Sequence, residues 1–460
     1  MNANPDPPAP QTSAPDPLAV IRSRGYLRIL LLAGLIGVPV SISAYGFLAL
    51  VDWLQEYLYT SLPGALGFDG APLWWPFPLL ALSGLLVALS IQRLPGTSGH
   101  SPSEGFKTGG VPRPRDLPGV ALAALATLSL GAVLGPEAPL IALGGGLGAL
   151  AILLIKKDSP PSAVAVIASA GSFAAVSTLL GSPLLGAFLL MEASGLGGAM
   201  LGVGLLPGLL AAGIGSLVFV GLDSWTGLGT FSLAIPDLPA FSTPTVAMFL
   251  WALGIGMVSP LLAWGIRALA LIVRPVVHRH RLVISPVLGL AIAGLAVLFA
   301  QVTGEDTAEI LFSGQSALPS LITDGGAWPL GALLLLILCK SLAYGLSLSA
   351  FRGGPVFPAM FIGAALGIAA SHLPGMELVP AVGVGIGAMC ASMLRLPLTS
   401  VLLATVLLTS DAYAVMPLVI VAVVVAHVLT GRLPEPPGRW LRRDPAPIAP
   451  GHAPNAPGLG

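Results

Sequence analysis

The chain has 460 residues, of which 20 are Lys or Arg and 20 Asp or Glu, so 9% are charged and the formal net charge is zero. Soluble proteins carry about 25% charge. With 55% apolar residues and a mean hydropathy of +0.91, the composition is that of a chain solvated by lipid. A neutral chain offers no basic face to nucleic acid. The two cysteines, Cys339 and Cys390, lie in apolar stretches and give neither a disulfide framework nor a metal site. No cofactor is implied. Glycine numbers 58 and proline 44, about twice the average for proline, an excess that predicts helices stopping inside the membrane.

Residues 1–26 read as a disordered cytoplasmic tail, with six prolines in the first 18 positions. The first apolar run, Ile29–Val51, is long enough to span and no cleavable signal precedes it. Further apolar blocks fall near 72–92, 117–134, 138–155, 162–180, 183–222, 243–273, 282–301, 327–349, 355–371, 378–394, 397–409 and 414–430. Several are shorter than the roughly 20 residues of a full crossing. The expectation is an all-α polytopic membrane domain over 27–430, with about ten to fourteen membrane helices, half-helices included. Lys156–Asp158, Arg274 with His278–Arg281, and Glu305–Glu309 read as interfacial loops. Residues 431–460 read as a second disordered tail. Arginines flank the first and last spans (Arg22, Arg24, Arg28; Arg432, Arg439), so both termini are expected in the cytoplasm of a plasma or inner membrane protein.

Residues 135–148 align without gaps to 354–367 at an offset of 219, with six of 14 positions identical, including the Gly-Pro opening and a second proline. Downstream, Ser182-Pro183-Leu184-Leu185 parallels Leu396-Pro397-Leu398-Thr399 at an offset of 214. Two landmarks in the same order indicate an internal duplication, with halves at about 72–222 and 282–430. Each 14-residue element is a Gly-Pro pair opening an apolar helix, since proline suits a first helical turn. Such a helix can start within the membrane only if its free N–H groups are buried in protein or face an aqueous cavity. There its N–H groups and dipole favour an anion. The structural alternative is that the glycines only let helices pack closely.

Glu137 is the only charged residue from Leu117 to Ile155 and opens one of these helices. An intramembrane carboxylate is expensive unless paired, hydrated or protonated. At an anion site it would compete with the anion as a tethered substitute and leave on protonation. The alternative is an N-cap facing a loop. Its counterpart in the second half is Val356, so one side only carries this gate.

In these residues the chain resembles the CLC chloride channel/transporter family over roughly 27–430. Gly135-Pro136-Glu137-Ala138-Pro139 is similar to the family's G-R/K-E-G-P element, Gly353-Gly354-Pro355-Val356-Phe357-Pro358 to G-G-x-F-x-P, and Gly96-Thr97-Ser98-Gly99-His100-Ser101-Pro102, with one insertion, to G-S-G-I-P. Lys340 and Arg395-Leu396-Pro397-Leu398-Thr399 also fit. The resemblance implies a homodimer with inverted halves and one ion pathway per subunit, carrying chloride or another small anion and, in exchangers, protons. It makes Glu137 the gate and gives the central anion the hydroxyl of Ser98, or of Thr97 given the insertion. The cradle would be completed by backbone around Gly135, Ala138, Gly354, Val356 and Phe357. Lys340 and Arg352, the only charges between Gly325 and Met376, would steer ions, with a snorkelling structural role the alternative for Lys340.

The departures limit the ion. Pro136 replaces the family's basic residue, Pro355 has no N–H to offer, and Thr430-Gly431-Arg432-Leu433-Pro434 stands where a tyrosine is common. Tyr413 does not match that place. In the exchangers' Glu-Glu pair Glu192 matches the first residue and Ala193 replaces the proton-transferring second. Glu192 is thus either a substitute proton relay or a helix-end carboxylate satisfied locally. The expected function is anion transport, passive or weakly proton-coupled, gated by protonation of Glu137. A proton-coupled antiporter and conduction of a different ion are the alternatives within transport. An intramembrane enzyme would need a catalytic pair, for which only Ser98 with His100 offers itself.

Overall fold

The computed structural model describes residues 17–105, 110–194, 200–227, 241, 243–408 and 412–437. Among them nine helices are long and apolar enough to cross a membrane, joined by four shorter apolar ones, which agrees with the expected number. Helix α1 (Pro17–Arg22) precedes α2 (Arg24–Glu56), whose first turn is capped by Ser23 Oγ accepting from Tyr26 N at 3.1 Å. The helical chain thus begins inside the segment 1–26 read as tail. Ser23 supplies a local N-cap signal that hydropathy does not register. Residues 1–16 and 438–460 of the two tails lie outside the described residues.

After α2 come a π-turn (Tyr57–Ser61), α3 (Leu62–Ala65), α4 (Pro76–Arg93) and α5 (Leu117–Ser129). The repeated elements of the first half are α6 (Glu137–Ile155), α7 (Pro161–Leu179), α8 (Pro183–Ser194) and α9 (Met200–Thr226). The apolar block 183–222 is therefore two helices. α10 (Val246–Arg279) and α11 (Arg281–Thr303) lead into the short α12 (Leu318–Thr323) and α13 (Leu330–Ala350). The second half continues with α14 (Val356–Ser371), α15 (Leu378–Leu394), α16 (Pro397–Leu408) and α17 (Ala412–Arg432). Arg274 and His278 lie on α10 rather than in a loop, because the helix runs through Pro275 to Arg279.

The duplication is visible in the packing. A Cβ placed on Gly144 would lie 2.5 Å from Gly171 O and one on Gly148 2.6 Å from Ile167 O, so α6 and α7 meet backbone to backbone. Their counterparts at offsets 219 and 214 do the same: Gly363 to Gly385 O at 2.5 Å, Gly367 to Ala381 O at 2.2 Å, between α14 and α15. Small residues permit this approach where lipid provides no hydrophobic drive. Gly367→Ala is expected to lower stability by about 1–3 kcal/mol, the usual overpacking cost, seen as a lower unfolding temperature in detergent. An unchanged temperature would place the α14–α15 contact elsewhere. Both cysteines are buried, as expected of small core residues.

The two halves join at the unwound segments before α6 and α14. Gly135 N donates to Gly354 O at 2.8 Å and Gly354 N to Gly135 O at 2.6 Å, an antiparallel bridge. Buried amides beside it find hydroxyls from the other half: Val133 N donates to Ser347 Oγ (3.0 Å) and Arg352 N to Thr127 Oγ1 (3.2 Å). Inverted halves put both helix starts at one place, and the hydroxyls satisfy backbone that would otherwise be orphaned in the core.

Candidate functional site

Helix α14 is enclosed: all of Val356–Ala370 except Leu366 is buried. Its first N–H groups cannot reach bulk water or headgroups and need partners within the protein. Glu137, 0% exposed, supplies one. Its Oε1 accepts from Val356 N in a short hydrogen bond and from Phe357 N at 3.3 Å. The first residue of α6 in one half thus caps α14 of the other. Its Oε2 is buried with no hydrogen-bond partner, a costly state for a carboxylate oxygen.

Glycine makes this fold-back possible. A Cβ on Gly354 would lie 2.3 Å from Glu137 Cδ, and one on Gly135 2.0 Å from its Oε2. Gly135 and Gly354, expected to offer backbone to the ion, instead use their amides on each other. The amides of Val356 and Phe357, expected to complete the anion's cradle, donate to the Glu137 carboxylate.

Gly96, Thr97 and Ser98 run through consecutive left-handed conformations, with φ of 77°, 54° and 56°. For threonine that region is strained. The turn drives Ser98 inward to 1% exposure, with Oγ unpartnered, and leaves Thr97 exposed. Of the two hydroxyls, only that of Ser98 is buried. It lines a cavity of about 80 Å³ with Ala138, Pro139, Arg352, Gly353 and Pro355, so the starts of both repeated helices meet the serine there. Arg352, 7% exposed, is held over the turn by Nε and Nη2 to Thr97 O, both 3.4 Å, and Nη1 to Phe351 O, 3.2 Å. A guanidinium on carbonyls alone keeps its positive charge toward the cavity.

Lys340 is placed elsewhere. Its ammonium donates to Glu309 O (2.8 Å) and Leu311 O (3.0 Å) and lies 4.3 Å over the Phe361 ring. It ties the loop before α12 to α13 and does not line the Ser98 cavity. That loop is less exposed than expected: burial pushes the Glu309 carboxyl up, with Lys340 opposing and Asp306 and Glu305 adding to the rise.

Glu192, at the end of α8, caps α16: Oε1 accepts from Leu398 N (3.0 Å), Oε2 from Thr399 N (2.8 Å) and Oγ1 (2.7 Å). This repeats the Glu137 arrangement between the next pair of counterpart helices. Tyr413 is 86% exposed and far from such a role. Ser98 and His100 line the same cavity, but the serine has no hydrogen bond to the ring, so no nucleophile–base pair is formed.

Three features escaped the sequence reading. Tyr344 of α13 is buried and donates its hydroxyl to Pro355 O at 2.9 Å. Glu104 pairs with Arg274 at 2.6 Å, fastening the turn after Ser98 to α10. Arg267 sits about two-thirds of the way along α10. Its signal was present, since it is the only charged residue from Thr243 to Val273, but the apolar block 243–273 reads as a plain membrane helix and the charge within it is passed over.

A family model described as voltage gated chloride channel matches residues 83–431. The chain belongs to this family, the CLC proteins. YfeO of Salmonella schwarzengrund (strain CVM19633), a protein named for ion transport, is 30% identical over 358 residues, 75% of this chain and 81% of its own. YfeO of Escherichia coli O1:K1 / APEC is 28% identical over 379 residues, 80% and 84% of the two chains. A slow cyanobacterial Cl-/H+ antiporter superposes with a TM-score of 0.69 at 19% identity, covering 90% of this chain and 96% of its own. A CLC-type fluoride/proton antiporter gives 0.64 at 20% identity, over 89% and 97%. These two likenesses carry the CLC fold, and the family carries ion transport across a membrane as its general activity.

Proposed function

We propose that this CLC protein passes small anions, chloride first, by passive or weakly proton-coupled conduction, and that protonation of Glu137 opens the path. The observation that carries the reading is the Glu137 carboxylate seated on the N–H groups of Val356 and Phe357, where a helix N-terminus would otherwise hold the anion. While ionised, the carboxylate competes with the anion for those donors. Protonated, it loses the charge that made the hydrogen bonds strong, and the anion takes its place. Ser98, Ala138 and Arg352 line the adjoining cavity and would receive the ion on its way. Chloride-loaded vesicles carrying the protein test this: acid-stimulated chloride efflux is expected, and cation flux without chloride flux would overturn it. The functional unit is a homodimer, as membership of the family implies, in the plasma or inner membrane, and both termini are cytoplasmic, an orientation supported by the arginines flanking the first and last spans.

Strict proton exchange is the second reading, favoured by the two antiporters of similar fold. Against it stands Glu192, whose two oxygens are satisfied by α16, the state of a helix cap rather than a proton carrier. Under crossed chloride and proton gradients the reversal potential is expected to follow chloride, and Glu192→Gln to leave it unmoved. A potential that tracks the proton gradient and loses that dependence in Glu192→Gln would put Glu192 in a proton path.

A further inference from the structure

The site has fewer donors than its architecture calls for. Pro355 opens the α14 turn without an N–H, Pro136 does the same at α6, and both prolines sit where the helices meet the anion path. Arg267 lies on the far side of the same walls. It is seven residues before Arg274, the first of the charges that close α10, about 10 Å along the axis at 1.5 Å per residue, and lies inside the helix's apolar stretch, where a charge asks for a function. It lines a small cavity with Pro102, Gly105, Leu348, Pro355 and Met393. Pro102, Gly105 and Pro355 are also walls of the Ser98 cavity, so the two spaces share a partition. Tyr344 donates to Pro355 O, and Arg267 lines the cavity on which Pro355 borders. The start of α14 therefore meets both a carboxylate, on the amides of Val356 and Phe357, and a guanidinium that shares a cavity with Pro355.

We propose that Arg267 binds the transported anion on the inner side of the α14 start, replacing the donors lost at Pro136 and Pro355. A guanidinium suits the place: it stays charged when partly buried, is weakly hydrated, and offers several N–H donors in a fixed fork. Ser98 Oγ, buried and unpartnered, faces the ion from the other cavity. The anion would move between Arg352 and Arg267 past the serine, and Glu137 would close the route beyond them. The assignment names a binding residue for the anion conduction proposed above and rests on that reading.

The test is the chloride concentration giving half-maximal efflux from reconstituted vesicles. Arg267→Gln is expected to raise it about tenfold or more, the weight of one charge-assisted hydrogen bond, and Arg267→Lys to restore most of the loss. In a Glu137→Gln background, where flux no longer follows pH, Arg267→His is expected to make half-saturation pH-dependent again, tighter in acid where the imidazole is charged. A structural arginine would show neither the lysine rescue nor the new pH dependence. Half-saturation unchanged in Arg267→Gln, or pH-independent in the histidine variant, overturns the assignment. Wild-type vesicles that carry no chloride, fluoride or nitrate would instead overturn the transport reading beneath it.

Discussion

Glu137→Gln is expected to give chloride flux that is high at neutral pH and flat with acidity. In the wild type the carboxylate holds Val356 N and Phe357 N, and under the proposed gating each conducting event begins with its protonation or displacement. Where the group is mostly ionised, one titrating proton lets flux rise by up to about tenfold per pH unit. Glutamine is nearly isosteric and can still accept one hydrogen bond, but it has no charge, so it competes poorly with an anion for a helix N-terminus. The sign follows directly: acid neutralises the wild-type gate and opens it, whereas the amide is neutral at every pH. A variant that keeps the wild-type acid dependence would reduce Glu137 to a structural cap.

Gly354→Ala is expected to imitate that variant without touching the carboxylate chemically. The added Cβ would meet Glu137 Cδ at 2.3 Å and Oε2 at 2.5 Å. Neither distance is tenable, and the obstacle is the end of a flexible side chain rather than backbone, so the carboxylate is the part that moves. Flux at neutral pH should rise toward the Glu137→Gln level. In the double variant Glu137→Ala with Gly354→Ala the second change should add nothing, because the two act on one contact. Gly354→Ala with wild-type flux and wild-type pH dependence would mean that the carboxylate does not rest on α14. The contrast with Gly367 is instructive: there an added Cβ meets the carbonyl of Ala381, backbone that cannot swing aside, and stability rather than gating is the expected readout.

Much of the architecture was legible in the amino-acid order. Long apolar runs bounded by charge mark helices through local composition, and the observed helices fall within a few residues of those runs except at 183–222, which holds both α8 and α9. The duplication was legible because Gly-Pro starts and close-packing glycines are each required locally, so both copies retain them at fixed offsets. Glu137 stood out for the same reason that Glu192 did: a lone carboxylate in an apolar stretch has no local explanation. Boundaries failed where capping or helix continuation, not hydropathy, decides them, as at Ser23 and along α10 past Arg274.

What the order of residues could not convey is which groups meet. Gly135 and Gly354 were expected to serve an ion, yet their amides are taken by each other once the halves close. Lys340 was placed between steering and structure. The fold puts it on the carbonyls of Glu309 and Leu311. Ser98 and Thr97 were equivalent as hydroxyls until the left-handed turn sent one inward and the other out. Arg267 acquired a neighbourhood only when α10 was laid beside Pro355. The sequence by itself determined a duplicated helical membrane protein with one singular carboxylate, because burial pattern and helix starts are local properties. Only the tertiary structure decided that Glu137 caps a helix 219 residues away, because that contact is set by the backbone approach of two inverted halves, which no local pattern encodes.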